Sequence, residues 1–218
     1  MILTDGITSI DYFQNIPTDL QHAAVSTSGG LDSALALYCL AKEISDRKQY
    51  GTEIHPYHLF DLNLKKLDTR INATDVVNYV SKSFPDVTIH PLRMYDGDKR
   101  GNDSKIIASL YAIIQLCDDV PIDWLISGQN LSDYVTIQSH EARTRAIEQE
   151  VFQTHGEGFP WKDVGKDFIA AQYKALGIED LSLITNSCIS DNHMGMPCKT
   201  CRWCKDRYQA FGNYDYGF

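Results

Sequence analysis

A short β-rich run, Ala23-Ala24-Val25-Ser26-Thr27, passes into Ser28-Gly29-Gly30-Leu31-Asp32-Ser33 and then into an amphipathic stretch ending near Ile44. A strand, a glycine turn and a helix in immediate succession constrain this chain more than any other feature, because the strand must be buried and the helix must pack back across it. The pattern recurs. A second strand is expected over Ile54–Phe60, a helix near Ile71–Phe84 and a third strand over Val87–Leu92. A polar loop, Tyr95–Asp103, follows, in which Asn102 or Asp103 caps a helix reaching Cys117. Trp124-Leu125-Ile126-Ser127 reads as a fourth buried strand and Leu181–Thr185 as the last; 136–152 reads as a charged, exposed helix and 155–160 as a loop. Strands alternating with helices imply right-handed βαβ units, hence an α/β architecture with a parallel sheet and helices on both faces. In such sheets ligands sit beyond the carboxyl ends of the strands.

The chain's 218 residues suit one domain with a small appendage, and 43% hydrophobic and 22% charged residues are ordinary globular values. A formal charge of -9 is a poor footprint for wrapping a nucleic-acid backbone, so small-molecule partners are expected and direct nucleic-acid binding is not. No apolar run approaches the ~20 residues of a membrane span, and Met1–Asp5 has neither the basic flank nor the apolar stretch of a signal peptide. The expectation is cytoplasmic residence without membrane association.

Two glycines before a helix let backbone N–H groups approach an anion, although an ordinary serine-capped turn has the same composition. Asp32 shifts the balance. A carboxylate in the first turn of a phosphate-holding helix is repelled by the phosphates unless a divalent cation lies between them, so turn, hydroxyls and Asp32 together point to a nucleotide with Mg2+. Near the carboxyl end, Cys188, Cys198, Cys201 and Cys204 form C-x9-C-x2-C-x2-C, a spacing that converges four sulfurs on a tetrahedral zinc and leaves no position for a catalytic water. A structural zinc is the expectation, with an iron-sulfur or redox role as the competing reading. His193 reads as a loop histidine, and Cys39 and Cys117 lie on apolar helical patterns and read as inert core thiols.

Ser28-Gly29-Gly30-Leu31-Asp32-Ser33 after a first strand resembles the signature of the PP-loop ATP pyrophosphatases, and it lacks the Gly-Lys-Ser/Thr ending of the Walker loop. Gly128-Gln129-Asn130-Leu131-Ser132-Asp133-Tyr134, Phe159-Pro160-Trp161-Lys162, Lys166-Asp167-Phe168-Ile169, Thr185-Asn186-Ser187-Cys188, Arg207 and Phe211 extend the likeness over most of the chain. Together with the four cysteines they are similar to the 7-cyano-7-deazaguanine synthase family. The chain departs from that family's pattern at Asp61–Lys65 and Val135–His140, and matches it only loosely at Lys99–Asn102.

The resemblance implies a Rossmann-like (adenine nucleotide alpha hydrolase-like) sheet over residues 1–184 and a four-cysteine zinc segment over 185–218. It implies an ATP-dependent carbon-nitrogen ligase of 7-deazaguanine (queuosine-type) biosynthesis. Such an enzyme adenylates 7-carboxy-7-deazaguanine, adds ammonia, and activates the amide again to release 7-cyano-7-deazaguanine. ATP would be held by Ser28, Gly29, Gly30, Leu31, Asp32 and Ser33. Asp32, near the metal, and Lys166 would be the catalytic groups, Lys166 reading equally as a solvated first-turn lysine. Gly128, Asn130, Asp133 and Arg100 would bind the substrate, Asn130 and Asp133 reading equally as helix caps. A homodimer is expected. Adenylation of a different carboxylate, thiolation of a tRNA base, and a catalytically silent nucleotide-binding homologue are the alternatives.

Overall fold

The computed structural model describes residues 1–60, 67–96, 105–128, 157–188 and 196–214. The elements in chain order are β1 (Leu3–Thr4), β2 (Ser9–Ile10), a 3-10 turn (Tyr12–Asn15), β3 (His22–Ser26), α1 (Leu31–Arg47), β4 (Glu53–Phe60), α2 (Leu67–Ser83) and β5 (Thr88–Ile89). They continue with β6 (Arg93–Asp96), α3 (Lys105–Asp119), β7 (Trp124–Ser127), β8 (Glu157–Gly158), α4 (Lys166–Ala175), α5 (Glu179–Leu183) and α6 (Arg202–Phe211). β1 and β2 make a small antiparallel pair, and the other strands form one parallel sheet in the order β5-β4-β3-β7-β8, with β6 also on β4.

Alternation along the strands builds the two layers. Ala23 and Val25 of β3, Ile54 of β4 and Ile126 of β7 enter one core with Leu31, Leu35, Val76, Val80, Trp161 and Ile169. Ala24, Tyr57 and Leu125 turn to the opposite face and pack on Ile113 and Leu116 of α3. Helices therefore cover both faces, as the strand-helix alternation predicts.

The third strand departs from expectation in an instructive way. Instead of one run over Val87–Leu92, two short strands follow each other along β4, and the register shifts from Ile54↔Ile89 to Tyr57↔Arg93, one extra residue on the outer strand. Two prolines meet at that interruption. Tyr57 O accepts from Thr27 N on the β3 side at 2.8 Å, so alternation turns Pro56, which has no N–H, toward the outer neighbour, where Pro91 also lacks one. The strand resumes at Arg93–Asp96, so its last two residues, Tyr95 and Asp96, lie within the segment expected to be a loop.

Two further expectations are corrected. Leu181–Thr185 is not a strand: Glu179–Leu183 is the short helix α5, with Glu179 and Asp180 in its first turn, where acidic side chains favour a helix start. Glu157–Gly158, expected in a loop, is a strand pairing in parallel with Leu125–Ile126. Gly158 is required there, since a Cβ would fall 1.7 Å from the Tyr12 hydroxyl, itself the acceptor of a 2.6 Å bond from Trp124 Nε1. Only a residue without a side chain lets β8 close the sheet over that pair. The expected helix over 136–152 lies outside the described residues.

Candidate functional site

The chain runs outward from β3 through β4 to β5 and β6, then returns by α3 to place β7 on the other side of β3. This reversal of strand order makes the carboxyl ends of β3 and β7, whose last residues, Ser26 and Ser127, are register partners, the switch point at which such sheets take their ligands. The glycine turn fills that position. Gly29 adopts φ +79°, and a Cβ there would meet Ala73 N, Asn72 Cβ and Thr69 O of α2 within 2.9 Å. Gly128, directly after β7, is pressed against the first turn of α1, with an added Cβ 2.6 Å from Ser33 Cα and Ser33 N. Absence of a side chain at these two positions lets the turn lie between α2 and the end of β7.

Hydroxyls brace the turn from inside. Ser28 N donates to Ser33 Oγ at 3.1 Å, the two serine Oγ atoms are 3.0 Å apart, and Ser33 Oγ donates to Gly30 O at 3.1 Å. Gly30 is the N-cap of α1, so no side chain caps the helix start and its first N–H groups remain for an anion. Leu31 is fully buried in the core and can serve a ligand only through its backbone.

Three residues from the chain's second half hold the first turn of α1. Trp161 Nε1 donates to Asp32 O at 3.0 Å and Tyr173 OH to Leu31 O at 2.9 Å. Lys166, the first residue of α4, makes an ion pair with Asp32 Oδ2, and both side chains are nearly buried. Trp161 and Tyr173 were not singled out as site residues from sequence; their aromatic bulk reads as core, and only their polar ends show the second role. Asn130, Asp133, Arg100 and His193 lie outside the described residues.

The four cysteines come together as their spacing predicts. Their Sγ atoms all lie within 4.8 Å of one another, and all four are free of disulfides. Backbone N–H groups point at the sulfurs, Cys198 N to Cys188 Sγ and Cys201 N to Cys198 Sγ, each at 3.3 Å. The Thr200 hydroxyl, helped by backbone N–H groups, holds the Cys198 thiol down at about 5, the thiolate form a metal requires, whereas burial pushes Cys204 up. Four soft donors with N–H groups turned onto their sulfurs suit zinc. Cys39 is fully buried and Cys117 half-buried; burial raises both thiols, that of Cys117 to about 11.

Cluster and turn are joined by a short relay. Cys188 N donates to Asn186 Oδ1 at 2.9 Å, and Asn186 N donates to Gly29 O at 2.9 Å. Asn72 of α2 holds Ile184 O at 2.7 Å, and the fully buried Arg207 of α6 reaches Thr185 Oγ1 and Ser182 O at 2.9 and 2.8 Å. Among the described residues no helix is long and apolar enough to cross a membrane.

Fold and site together define an α/β protein of the Rossmann-like class with a glycine turn at the switch point and a four-cysteine cluster beside it. Among solved structures the chain is similar to NMN synthetase from Francisella tularensis, with a TM-score of 0.53 and 10% identity over 91% of this chain and 80% of that one. It is also similar to a 4-thiouridine synthetase solved with RNA and ATP (TM-score 0.49, 16% identity, 75% of this chain, 42% of that one). A universal stress protein in complex with cAMP gives a TM-score of 0.40 at 13% identity, over 66% of this chain and 98% of that one. At such identities the NMN synthetase likeness shows a shared fold. No protein-family profile and no curated protein matches the chain.

Proposed function

We propose that this chain is an ATP-dependent enzyme of the PP-loop pyrophosphatase type that adenylates a carboxylate, and that it converts 7-carboxy-7-deazaguanine and ammonia to 7-cyano-7-deazaguanine. The observation that carries this reading is the meeting of Asp32 and Lys166 at the glycine turn, on the carboxyl edge of the sheet. An uncapped helix start, two serine hydroxyls, one carboxylate and one ammonium are the groups needed to hold a triphosphate with its cation. Asp32 is the residue that would hold Mg2+, which when bound neutralises phosphate charge.

The chain's own groups account for the rest. The N–H groups of the turn fix the β and γ phosphates, leaving the α phosphorus to the incoming carboxylate oxygen, with pyrophosphate as leaving group. Lys166, standing beside the turn, offsets negative charge that develops during transfer. Ammonia then displaces AMP from the acyl carbon to give the amide; adenylation of the amide oxygen by a second ATP releases pyrophosphate, and loss of AMP and of both protons of the amide nitrogen gives the nitrile. On this reading Gly128 keeps the end of β7 against the turn, Asn130, Asp133 and Arg100 contact the deazaguanine, and the division into 1–184 and 185–218 separates the ATP-binding domain from its metal staple. The charge of -9 favours a small substrate over a tRNA base.

Incubation with ATP, Mg2+, ammonium and 7-carboxy-7-deazaguanine tests the proposal. AMP, pyrophosphate and a nitrile detected by mass spectrometry are the expected products. ADP and orthophosphate would overturn the PP-loop assignment; AMP release without nitrile would retain it and overturn the substrate.

A further inference from the structure

Four titratable side chains meet at the opposite edge of the sheet, at the amino ends of β3, β4 and β5. His22 opens β3, Glu53 opens β4 as its register partner, and His55 follows two residues on, which turns its side chain to the same face as Glu53. Thr88 is the partner of Glu53 on the other side, so His90, two residues beyond Thr88 and bonded through its N to Ile54 O at 2.9 Å, joins them. The strand register alone gathers residues 22, 53, 55 and 90.

Their donor atoms have the spacing of a coordination face. His22 Nδ1 and His55 Nε2 are 3.2 Å apart, and each is 3.7 Å from Glu53 Oε2. A tetrahedral ion with bonds of about 2.0–2.2 Å places its donors about 3.3–3.6 Å from one another. His90 Nε2 bonds the same Glu53 Oε2 at 2.8 Å, and its ring stacks on His55 with centroids 4.3 Å apart.

We propose that His22, Glu53 and His55 form a second metal site, for a divalent transition ion of the zinc class, with His90 orienting the Glu53 carboxylate. Two imidazoles and a carboxylate suit zinc, nickel or copper and not magnesium, which takes oxygen ligands. Glu53 is exposed enough for solvent to fill the remaining position, so the ion exchanges with bulk. The site binds less tightly than the four cysteines. Ligation through His55 Nε2 leaves its Nδ1 proton in a buried position with no hydrogen-bond partner, and the outer bond of a ligating histidine typically contributes ~10–100-fold in affinity.

The test is calorimetric. Protein whose cysteine cluster is loaded with zinc is freed of loosely held metal by a mild chelator and titrated with Zn2+, with Mg2+ as the control. One further equivalent of Zn2+ is expected and no Mg2+. His22→Ala and Glu53→Gln should each weaken this second equivalent at least ~10-fold, and His90→Phe, which keeps the ring stack and removes the hydrogen bond, by ~10–100-fold. His58→Asn, toward the carboxyl end of β4 and away from the cluster, should leave it unchanged. The variants are compared at equal melting temperature without metal; the half-exposed position of His90 makes His90→Phe the variant that retains the fold if the others do not. Absence of a second equivalent, or Zn2+ affinity unchanged in Glu53→Gln and His90→Phe, overturns the proposal. Neither outcome bears on ATP chemistry at the other edge of the sheet.

Discussion

Lys166 and Asp32 form a nearly buried ion pair across 134 residues of chain, the only covalent route between them running through β4, β7 and the segment before α4. The contact ties α4 to the helix that carries the glycine turn. Breaking a largely dry ion pair by removing one partner typically costs ~3–5 kcal/mol, whereas replacing both with neutral groups of like shape costs much less. Lys166→Met and Asp32→Asn should therefore each lower the urea midpoint, and the double variant should recover part of the loss. Turnover separates the roles: all three variants should lose most ATP cleavage, so recovered stability without recovered activity is the expected signature. A double variant no more stable than the singles would show that the pair contributes little to the fold.

Gly128→Ala and Gly29→Ala place a methyl against backbone atoms 2.6–2.9 Å away, where no side chain can yield. Overpacking of this kind costs roughly 1–3 kcal/mol, and Gly29 adds the strain of its positive φ. Gly30→Ala meets only Ser28 Oγ at 3.4 Å and Asn186 O at 3.6 Å. Thermal melts should show both of the first two variants lowered by several degrees and Gly30→Ala close to the parent. A uniform response would mean that the close approaches do not govern the turn.

Much of this arrangement was legible in the residues because it is local or periodic. The strand-turn-helix at 23–44 and the cysteine spacing at 188–204 each bring their groups together within a short span of chain, and the strand-helix alternation fixes which edge of the sheet carries the turn. What escaped the sequence depends on pairing between distant segments. Leu181–Thr185 is apolar enough for a strand but becomes a helix and turn under the buried Arg207. Glu157–Gly158 carries no β signal and becomes a strand because Tyr12 and β7 leave an edge that a glycine fits. The gathering of His22, Glu53, His55 and His90 needs the register of three strands, which no local pattern encodes.

The relay from Cys188 through Asn186 to Gly29 predicts that the cysteine cluster and the glycine turn are coupled. Metal analysis should find zinc held by Cys188, Cys198, Cys201 and Cys204, and Cys201→Ser should lose it and melt lower. Cys117→Ser should leave zinc content unchanged. Loss of zinc frees Cys188 and slackens the hold on Gly29 O, so the KM for ATP should rise ahead of any fall in kcat. If zinc-depleted protein kept its KM, the cluster would be a staple with no influence on the turn. An iron-sulfur absorbance would replace zinc in this account altogether.

His58 gives the turn a dependence on acidity. Its Nδ1 lies 3.0 Å from Thr27 O, a carbonyl that can only accept, so the neutral ring carries its proton there, one residue before Ser28. Burial, the largest influence, holds the His58 pKa below the ordinary 6.5 against the opposing effect of the Thr27 bond, and the charge of Arg70 lowers it further. Above pH 6.5 the ring is neutral in both folded and unfolded chains and contributes no slope. As pH falls below 6.5 the unfolded chain takes up a proton that the folded chain refuses, so stability declines until the lowered native value is reached, by at most about 1.4 kcal/mol per pH unit for one group. His58→Asn keeps a donor near the Nδ1 position and removes the titration. Urea unfolding between pH 7.5 and 5.5 should therefore show a shallower loss in the variant than in the parent, with the two curves parallel above pH 6.5. Parallel curves over the whole range would mean that His58 titrates alike folded and unfolded, and that the acid sensitivity of the turn lies elsewhere.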